Sequence, residues 1–445
     1  MRFAITTLGC KVNQYDSAMI EARLEQAGLE RCEFDQVADV YVVNTCTVTD
    51  RADVESLKLA RRARRSNPRA RVIMTGCLAQ ASPERLAAAP EVDRIIGLAR
   101  MDDLVRAAAQ DPRPDDARVM VSNLRKSRSA IDAAAVVPAG QTRAFIKLQE
   151  GCDQFCSFCI VPFSRGASRS VAPRQVLEVL DSLHEQGFKE VVLSGVHLGG
   201  YGKDLSPPVT LMGLLEMIAE RCPIPRVRLS SIDPEELSDE VIDLVAQSDR
   251  FCPHFHLPLQ AGEDQILERM RRRYRIDDYR RRVERILQRM PDAAIGTDLI
   301  VGFPGETEEH FEHYFQFVER LPLAYFHVFP YSVRSGTTAA KFGGKVPAGE
   351  IKRRAERLRK LGELRRQVFI RRFVGAKIKV LVEESREPGC QRLRGYSRNY
   401  IKVLVHGADQ LKNHEIDVDA SAVDGSALVG RTVGSPAPSA GSSRN

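Results

Sequence analysis

The chain of 445 residues lacks any apolar run long enough to cross a membrane. The apolar stretch before Cys10 is also too short for a secretion signal, although Leu8-Gly9-Cys10 resembles a lipoprotein cleavage site. Ten cysteines are too few for a disulfide scaffold of this size, and their placement indicates metal binding in a reducing compartment. We therefore expect a cytoplasmic protein without a membrane partner.

No G-x-G-x-x-G or P-loop pattern surrounds Gly199-Gly200, so we expect a loop there and not a phosphate cradle. The length predicts two or three domains, and an apolar content of 43% is ordinary for globular proteins. The net charge is only +7, but the arginines are clustered, which is typical of chains with a polyanionic partner such as nucleic acid.

Three cysteines, Cys152, Cys156 and Cys159, follow a strand-like run over 144–148 at C-x3-C-x2-C spacing. Thiolates are the usual ligands of iron–sulfur clusters, and three of them can hold a 4Fe–4S cube with its fourth iron open to another ligand. Phe158 stands beside the third thiol, where it could pack against that ligand. Buried apolar cysteines and a zinc site are the alternatives, but a three-thiol zinc site needs a fourth ligand, and no histidine or cysteine follows before His184.

A second trio of cysteines, Cys10, Cys46 and Cys77, is spread over the first eighty residues. Each follows a predicted strand, over 2–8, 38–43 and 71–75, and helical patterns separate the strands. Such alternation predicts a parallel sheet, whose ligands bind beyond the carboxyl ends of the strands. We therefore predict a second three-thiol site, three separate buried cysteines being the alternative. The remaining cysteines are interpreted as structural: Cys32, Cys222, Cys252 and Cys390.

From residue 142 onward, six strand-like segments alternate with helical patterns. They cover 144–148, 190–193, 226–230, 254–257, 294–300 and 325–329. Six βα units predict a partial barrel with its active site at the carboxyl ends of the strands. A basic helical pattern over 347–373 follows, and alternating segments over 377–382 and 400–405 predict a small C-terminal β-barrel. The expected fold class is α/β: a parallel N-terminal domain, a partial (βα)6 barrel and a small β-barrel.

The order of these parts resembles the methylthiotransferases of the radical S-adenosylmethionine (SAM) superfamily over nearly the whole chain. The matching blocks are Thr7-Leu8-Gly9-Cys10-Lys11-Val12-Asn13, Asn44-Thr45-Cys46-Thr47, Thr75-Gly76-Cys77, His256-Leu257-Pro258-Leu259-Gln260, Gly302-Phe303-Pro304-Gly305-Glu306 and Phe329-Pro330-Tyr331-Ser332. The sequence around Cys10 and the stretch Arg165-Gly166-Ala167-Ser168-Arg169-Ser170 resemble the branch that acts on N6-threonylcarbamoyladenosine in tRNA.

The resemblance implies an N-terminal iron–sulfur domain over 1–107, a linker over 108–137 and a radical SAM domain over 138–373. A TRAM-type RNA-binding domain over 374–433 and a disordered tail over 434–445 would follow. The implied cofactors are two 4Fe–4S clusters and SAM. One cluster, on the catalytic Cys152, Cys156 and Cys159, would cleave SAM to a 5′-deoxyadenosyl radical, and the other, on Cys10, Cys46 and Cys77, would present the sulfur.

The resemblance also places SAM against residues at the ends of the barrel strands. The expected cofactor-binding residues are Phe158, Ser194, Gly195, Ser231, Gln260 and Phe329, with Ser230 beside them. The implied partners are the anticodon loop of tRNA, an electron donor such as flavodoxin or ferredoxin, and a sulfur donor. The C-terminal domain and the basic helix would bind RNA, whereas the basic run 269–274 could face either RNA or SAM.

Three other functions stay open at this stage. The same chemistry could act on N6-isopentenyladenosine in tRNA or on a ribosomal protein, although the Gly-Cys-Pro-Lys-Asn form typical of the latter branch is absent. A non-catalytic iron–sulfur RNA-binding sensor is the third. A sensor would require neither open irons nor SAM-like strand ends, so the two incomplete thiol sets favour an enzyme.

Overall fold

The fold comes from a computed structural model that describes residues 1–110, 117–127, 131, 133–135, 137 and 141–433. The predicted disordered tail, 434–445, lies outside these residues, as does part of the predicted linker, 108–137. None of the helices in the described residues combines the length and apolarity needed to cross a membrane.

The N-terminal domain is a parallel six-stranded sheet in the order β2-β1-β3-β4-β5-β6. Its elements are β1 (Arg2–Thr7), α1 (Lys11–Gln26), β2 (Glu30–Arg31), β3 (Val40–Thr45), α2 (Asp50–Ser66), β4 (Arg71–Gly76), α3 (Cys77–Ala81), α4 (Pro83–Ala87), β5 (Arg94–Ile96), α5 (Met101–Ala109) and β6 (Val119–Met120). The strands β3 and β4 are buried on both faces, which is why they read as continuous apolar runs. Strand β6 falls within the predicted linker and pairs with β5, so this part of the linker is an edge strand.

The middle of the chain forms the partial barrel. Its elements are β7 (Arg143–Glu150), α6 (Val161–Ser164), β8 (Arg169–Ser170), α7 (Pro173–Glu185), β9 (Glu190–Gly195), α8 (Leu211–Arg221), β10 (Arg226–Leu229), α9 (Asp239–Gln247), β11 (His254–His256), α10 (Asp264–Arg269), α11 (Ile276–Arg289), β12 (Ala294–Val301), α12 (Glu308–Arg320), β13 (Tyr325–Pro330) and α13 (Ala348–Arg371). Strands β7, β9 and β10 are parallel, as are β11, β12 and β13, and single bridges join β10 to the segment around β11. No pairing joins β13 to β7 among the described residues, so the barrel is open on that side.

Alternate residues of each barrel strand face opposite sides. On β7, Ala144, Ile146 and Leu148 pack into the core beneath the outer helices. Phe145 and Lys147 therefore point into the lumen, and Lys147 is bonded there to Asp16 of α1. The N-terminal domain thus lies against the inner face of β7, on the open side of the barrel.

The C-terminal segment is a closed five-stranded barrel in the order β14-β15-β16-β18-β17. Its strands are β14 (Lys377–Arg386), β15 (Leu393–Ser397), β16 (Lys402–His406), β17 (Glu415–Asp424) and β18 (Ala427–Thr432). It docks at the amino ends of the barrel strands, where Arg226 donates to the carbonyl of Tyr396 at 3.0 Å and pairs with Glu415 at 2.8 Å. The expected fold class, with its parallel domain, partial barrel and small β-barrel, is confirmed.

Candidate functional site

The loop that carries the first cysteine trio leaves the carboxyl end of β7 through Gly151. This glycine has φ +76°, and a Cβ atom there would lie 2.0 Å from the carbonyl oxygen of Ala167. Only glycine therefore lets the loop turn against that chain. The amide of Cys152 then donates to Gly166 O at 3.0 Å, and the amide of Cys159 donates to Cys156 O at 3.0 Å. The result is a tight turn in which the three thiols are close enough to interact electrostatically.

Buried polar side chains hold this loop in place. The amide nitrogen of Gln149 donates to Gly151 O at 2.7 Å and to Ser168 Oγ at 2.8 Å, and its oxygen accepts from the His197 amide at 2.7 Å. The hydroxyl of Ser157 donates to Arg269 O at 2.7 Å. Since both side chains are buried, their hydrogen bonds fix the loop relative to β9 and α10.

Two N–H groups point at sulfur atoms of this trio. The amide of Gln154 lies 3.4 Å from Cys152 Sγ, and the guanidinium of Arg272 lies 3.4 Å from Cys156 Sγ. Arg272 is fixed by an ion pair with Asp233 and by stacking over Tyr274, 4.9 Å from the ring centroid. Burial raises the pKa of Cys152 to about 12 and raises that of Cys159 as well. Because these thiols are protonated at neutral pH, metal binding must displace their protons.

The second trio converges at the carboxyl edge of the N-terminal sheet. Cys10 caps α1 after β1, Cys46 follows β3, and Cys77 begins α3 directly after β4. A Cβ atom on Gly9, which has φ +104°, would lie 3.0 Å from Cys46 Sγ, so the loop before Cys10 touches the second cysteine. Burial raises the pKa of Cys46 to about 11, with the thiols of Cys77 and Cys10 adding to the rise.

A buried arginine joins the two cysteine sites. Arg165, which directly follows the short helix α6 of the barrel domain, places its Nε 3.3 Å from Cys77 Sγ and donates to Asn13 Oδ1. The same guanidinium pairs with Glu150 at 2.6 Å, two residues before Cys152, and with Asp16 at 2.7 Å. It is therefore a fixed connection between the two thiol sets.

The residues present fit iron–sulfur clusters at both positions. Each trio offers three mutually interacting thiols, and N–H donors already point at individual sulfur atoms, as they do around cluster thiolates. Each trio lacks a fourth thiol among the described residues. The groups that act electrostatically on Cys252 are Arg228, Glu190, Arg226 and Arg398, and no cysteine of either trio is among them. The thiols of Cys32 and Cys222 donate to backbone carbonyl groups, and Cys390 is exposed.

The residues predicted to bind SAM lie along one rim of the barrel. Ser194 and Gly195 end β9, Phe329 lies near the end of β13, and Phe158 packs against the barrel core from the cysteine loop. Ser231 Oγ lies 2.8 Å from His256 Nδ1, and Gln260 has a left-handed backbone at φ +67°. The buried hydroxyl of Ser230 has no hydrogen-bond partner in the described part of the chain, which suits a ligand contact. Their roles as SAM contacts stay predictions.

The structure separates the members of the two predicted basic surfaces. In the run 269–274, Arg272 faces the first cysteine trio whereas Arg271 and Arg273 are exposed. On α13, several of the arginines proposed to bind RNA pair with carboxylates of α12 and its N-terminal loop. These pairs are Arg353 with Glu308, Arg354 with Glu306 and Glu308, and Arg357 with Glu312. Part of the basic helix is thus engaged in domain packing.

Several site residues were not identified from the sequence. Gln149 and Arg272 had no assigned role in the cysteine loop, and Arg165 was noted only for its family resemblance. Arg165 lies 152 positions from Asn13, and Arg272 lies 116 positions from Cys156, so no local pattern links them. For these two arginines, the only available signal was that a guanidinium group could lie beside a predicted thiol site.

Family models match two stretches of the chain. Residues 2–97 match a family described as "Uncharacterized protein family UPF0004", and residues 146–318 match the radical SAM superfamily. Among solved structures, the radical S-adenosylmethionine methyltransferase TsrM from Kitasatospora setae has a TM-score of 0.55 at 16% identity, over 74% of each chain. That likeness shows the fold: the chain has the architecture of a radical SAM protein.

The curated relatives are more specific. A protein named threonylcarbamoyladenosine tRNA methylthiotransferase MtaB from Bacillus subtilis is 37% identical over 92% of this chain and 91% of its own length. The protein of that name from Aquifex aeolicus is also 37% identical, over 92% and 97%. A tRNA-2-methylthio-N(6)-dimethylallyladenosine synthase from Clostridium botulinum is 33% identical over 89% of both chains. The chain belongs to the methylthiotransferase family of the radical SAM superfamily.

Proposed function

We propose that this protein is a tRNA methylthiotransferase that adds a methylthio group to C2 of N6-threonylcarbamoyladenosine at position 37. The observation that carries the proposal is the pairing of two three-thiol sites through Arg165. A radical step and a sulfur-transfer step would then occur at neighbouring metal centres. We further propose that each site holds one 4Fe–4S cluster, with an iron left open for SAM or for sulfur.

The choice of substrate is supported by the relatives. Two relatives named for threonylcarbamoyladenosine are 37% identical to this chain, whereas one named for dimethylallyladenosine is 33% identical. The sequence Leu8-Gly9-Cys10-Lys11-Val12-Asn13 points the same way. Because the dimethylallyl relatives cover 89% of this chain, methylthiolation of that base is the second candidate.

Bound clusters and SAM would supply the one-electron chemistry that an aromatic C–H bond requires and that side chains lack. The contribution of the chain is to bind and orient. Gln149 and Ser157 fix the loop of the first trio, and Arg272 and Arg165 donate N–H groups to sulfur atoms. The N-terminal domain lies against the inner face of β7 and so closes part of the lumen, whereas His327 and Phe329 on β13 are exposed.

The substrate defines the other partners. The anticodon loop must present an unstacked base to the site between the domains, while phosphate contacts supply affinity. The C-terminal barrel and the exposed arginines are the proposed contact surface. An electron donor such as flavodoxin or ferredoxin and a separate sulfur donor would complete the reaction. We infer a cytoplasmic location from the proposed tRNA substrate.

Mass spectrometry of tRNA nucleosides from a strain that lacks the gene, with and without complementation, tests the proposal. We expect 2-methylthio-N6-threonylcarbamoyladenosine only after complementation. A response of the methylthio-isopentenyl nucleoside alone would replace the substrate by the second candidate. If neither nucleoside responds, the tRNA substrate is wrong and the ribosomal-protein or sensor functions remain.

A further inference from the structure

A lysine of the N-terminal domain projects into the barrel lumen. Lys11 follows Cys10 directly and begins α1, and its Nζ atom lies 6.0 Å from the ring centroid of Phe145 on the inner face of β7. The side chain is partly buried, and its charge acts on His254 and His327, which lie on β11 and β13. The ammonium group therefore reaches across the lumen from the open side of the barrel.

Lys11 is distinguished from the other lumen cations by having no anionic partner. Its ammonium has neither an ion pair nor a hydrogen bond within the described residues. In contrast, Lys147 pairs with Asp16 at 2.8 Å and Arg228 pairs with Glu190 at 2.9 Å. Arg143 pairs with Glu383 at 2.9 Å. Partial removal of an unpaired ammonium group from water carries a desolvation cost, which an anion supplied by a ligand would offset.

The nearby carboxylates are already engaged. Glu190 is held by Arg226 at 2.7 Å and by Arg228 at 2.9 Å. Asp298 lies opposite His327 in the register of β12 and β13, and its carboxylate is 3.3 Å from His256 Nε2. Lys11 is thus a cation for which the described residues supply no counter-charge, which suits an anionic group from outside the chain.

The position of Lys11 relates this cation to the reacting base. Cys10 is a proposed ligand of the cluster that presents sulfur, and sulfur must reach C2 of the adenine. The N6 substituent is attached to the same six-membered ring as C2. When C2 of the base lies beside the cluster on Cys10, the N6 group therefore lies about as far from that cluster as the side chain of Lys11 extends.

We propose that Lys11 binds the carboxylate of the N6 substituent and thereby selects a threonylcarbamoyl group over an apolar one. This inference rests on the proposed function. An isopentenyl group at the same place would leave the ammonium unpaired, which penalises that substrate without any steric clash. The carboxylate of SAM and a phosphate of the RNA are the other anions that could reach the lumen, so the test separates these sources.

The test uses the full-length protein with both clusters loaded and two anticodon stem-loop RNAs. One RNA carries N6-threonylcarbamoyladenosine, and the other carries the same group with its carboxylate replaced by a neutral carboxamide. Wild type should bind the carboxylate loop more tightly. Lys11→Met should weaken binding of that loop by about tenfold to a hundredfold, the range of a charged hydrogen bond, and leave the carboxamide loop unchanged. Lys11→Arg should retain the preference, and Lys345→Met, which removes an exposed charge, is the matched control.

Each other outcome contradicts the inference. Equal weakening of both loops by Lys11→Met would show a phosphate contact or a structural role in place of carboxylate binding. An intact preference in that variant would exclude carboxylate binding by Lys11. Weaker SAM binding in equilibrium dialysis, with the RNA preference intact, would assign the lysine to the cofactor. Wild type that binds both loops equally overturns the inference even if Lys11→Met fails to load its clusters. Failure of wild type to methylthiolate the carboxylate loop would instead contradict the proposed function.

Discussion

Replacing Glu190 by glutamine perturbs the buried ion-pair network beneath the barrel. The Glu190 carboxylate is fully buried and pairs with Arg226 at 2.7 Å and Arg228 at 2.9 Å. The two arginines continue into the C-terminal barrel, where Arg228 donates to Arg398 O at 2.8 Å. Glu190→Gln keeps the shape of the side chain but leaves Arg228 without its counter-charge and Arg226 with Glu415 as its remaining carboxylate.

The magnitude follows from the pKa of Glu190. Burial alone would raise the pKa, but Arg228 and Arg226 outweigh it and lower the pKa from 4.5 to about 2. A shift of about 2.5 units corresponds to about 3 kcal/mol of unfolding free energy at neutral pH. A carboxylate whose pKa is lowered in the folded state stabilises the fold when the pH is above its unfolded-state pKa. This stabilisation is lost as the pH falls toward the folded-state pKa. The contribution should therefore decrease to about 1.5 kcal/mol at pH 3.

Urea unfolding of the cluster-free protein between pH 7 and pH 3 measures this dependence. The unfolding free energy of wild type should exceed that of Glu190→Gln by about 3 kcal/mol at pH 7, and this difference should shrink by about half at pH 3. Glu216→Gln, on the exposed face of α8, is the matched control and should match wild type throughout. A difference between wild type and Glu190→Gln that stays constant with pH, or is absent at pH 7, would refute the reasoning.

Three further substitutions test the cysteine sites and their connection. Cys156→Ala should abolish 5′-deoxyadenosine formation from SAM while iron remains in the N-terminal site, and retained SAM cleavage would contradict the first assignment. Cys46→Ala should retain SAM cleavage but yield no methylthio product, and a normal product yield would exclude the second cluster. Arg165→Met leaves Lys147 as the remaining cation for Asp16 and Glu150, so we expect urea unfolding to show a loss of about 3 kcal/mol. An unchanged urea midpoint would show that the ion pairs of Arg165 with Asp16 and Glu150 add no stability.

The sequence predicted the features that follow from local pattern and strand position. Cys10, Cys46 and Cys77 were expected together because parallel strands place their carboxyl ends at one edge, and the structure does bring them together. The barrel strands were predicted because buried strands give short apolar runs between helical patterns. Strand β6 was missed because two residues are too short for such a pattern.

The cross-domain contacts were beyond sequence reasoning for a physical reason. Arg165 contacts Asn13, and Lys11 lies near Phe145. In both pairs the two residues are on different domains and more than a hundred positions apart in the sequence. Their roles depend on how α1 lies over the inner face of β7, and no periodicity encodes that placement. The same holds for Arg334, which reaches from beyond β13 to pair with Asp53 of α2 at 2.7 Å.

The most direct test of the central claim uses the purified protein with both clusters loaded. It is incubated with SAM, a reductant, a sulfide source and an anticodon stem-loop that contains N6-threonylcarbamoyladenosine, and the product nucleoside is identified by mass spectrometry. Wild type should form the 2-methylthio nucleoside, and removal of either cysteine trio should abolish it. Formation of the product by a variant that lacks one trio, or its absence with wild type fully loaded with iron, would contradict the account.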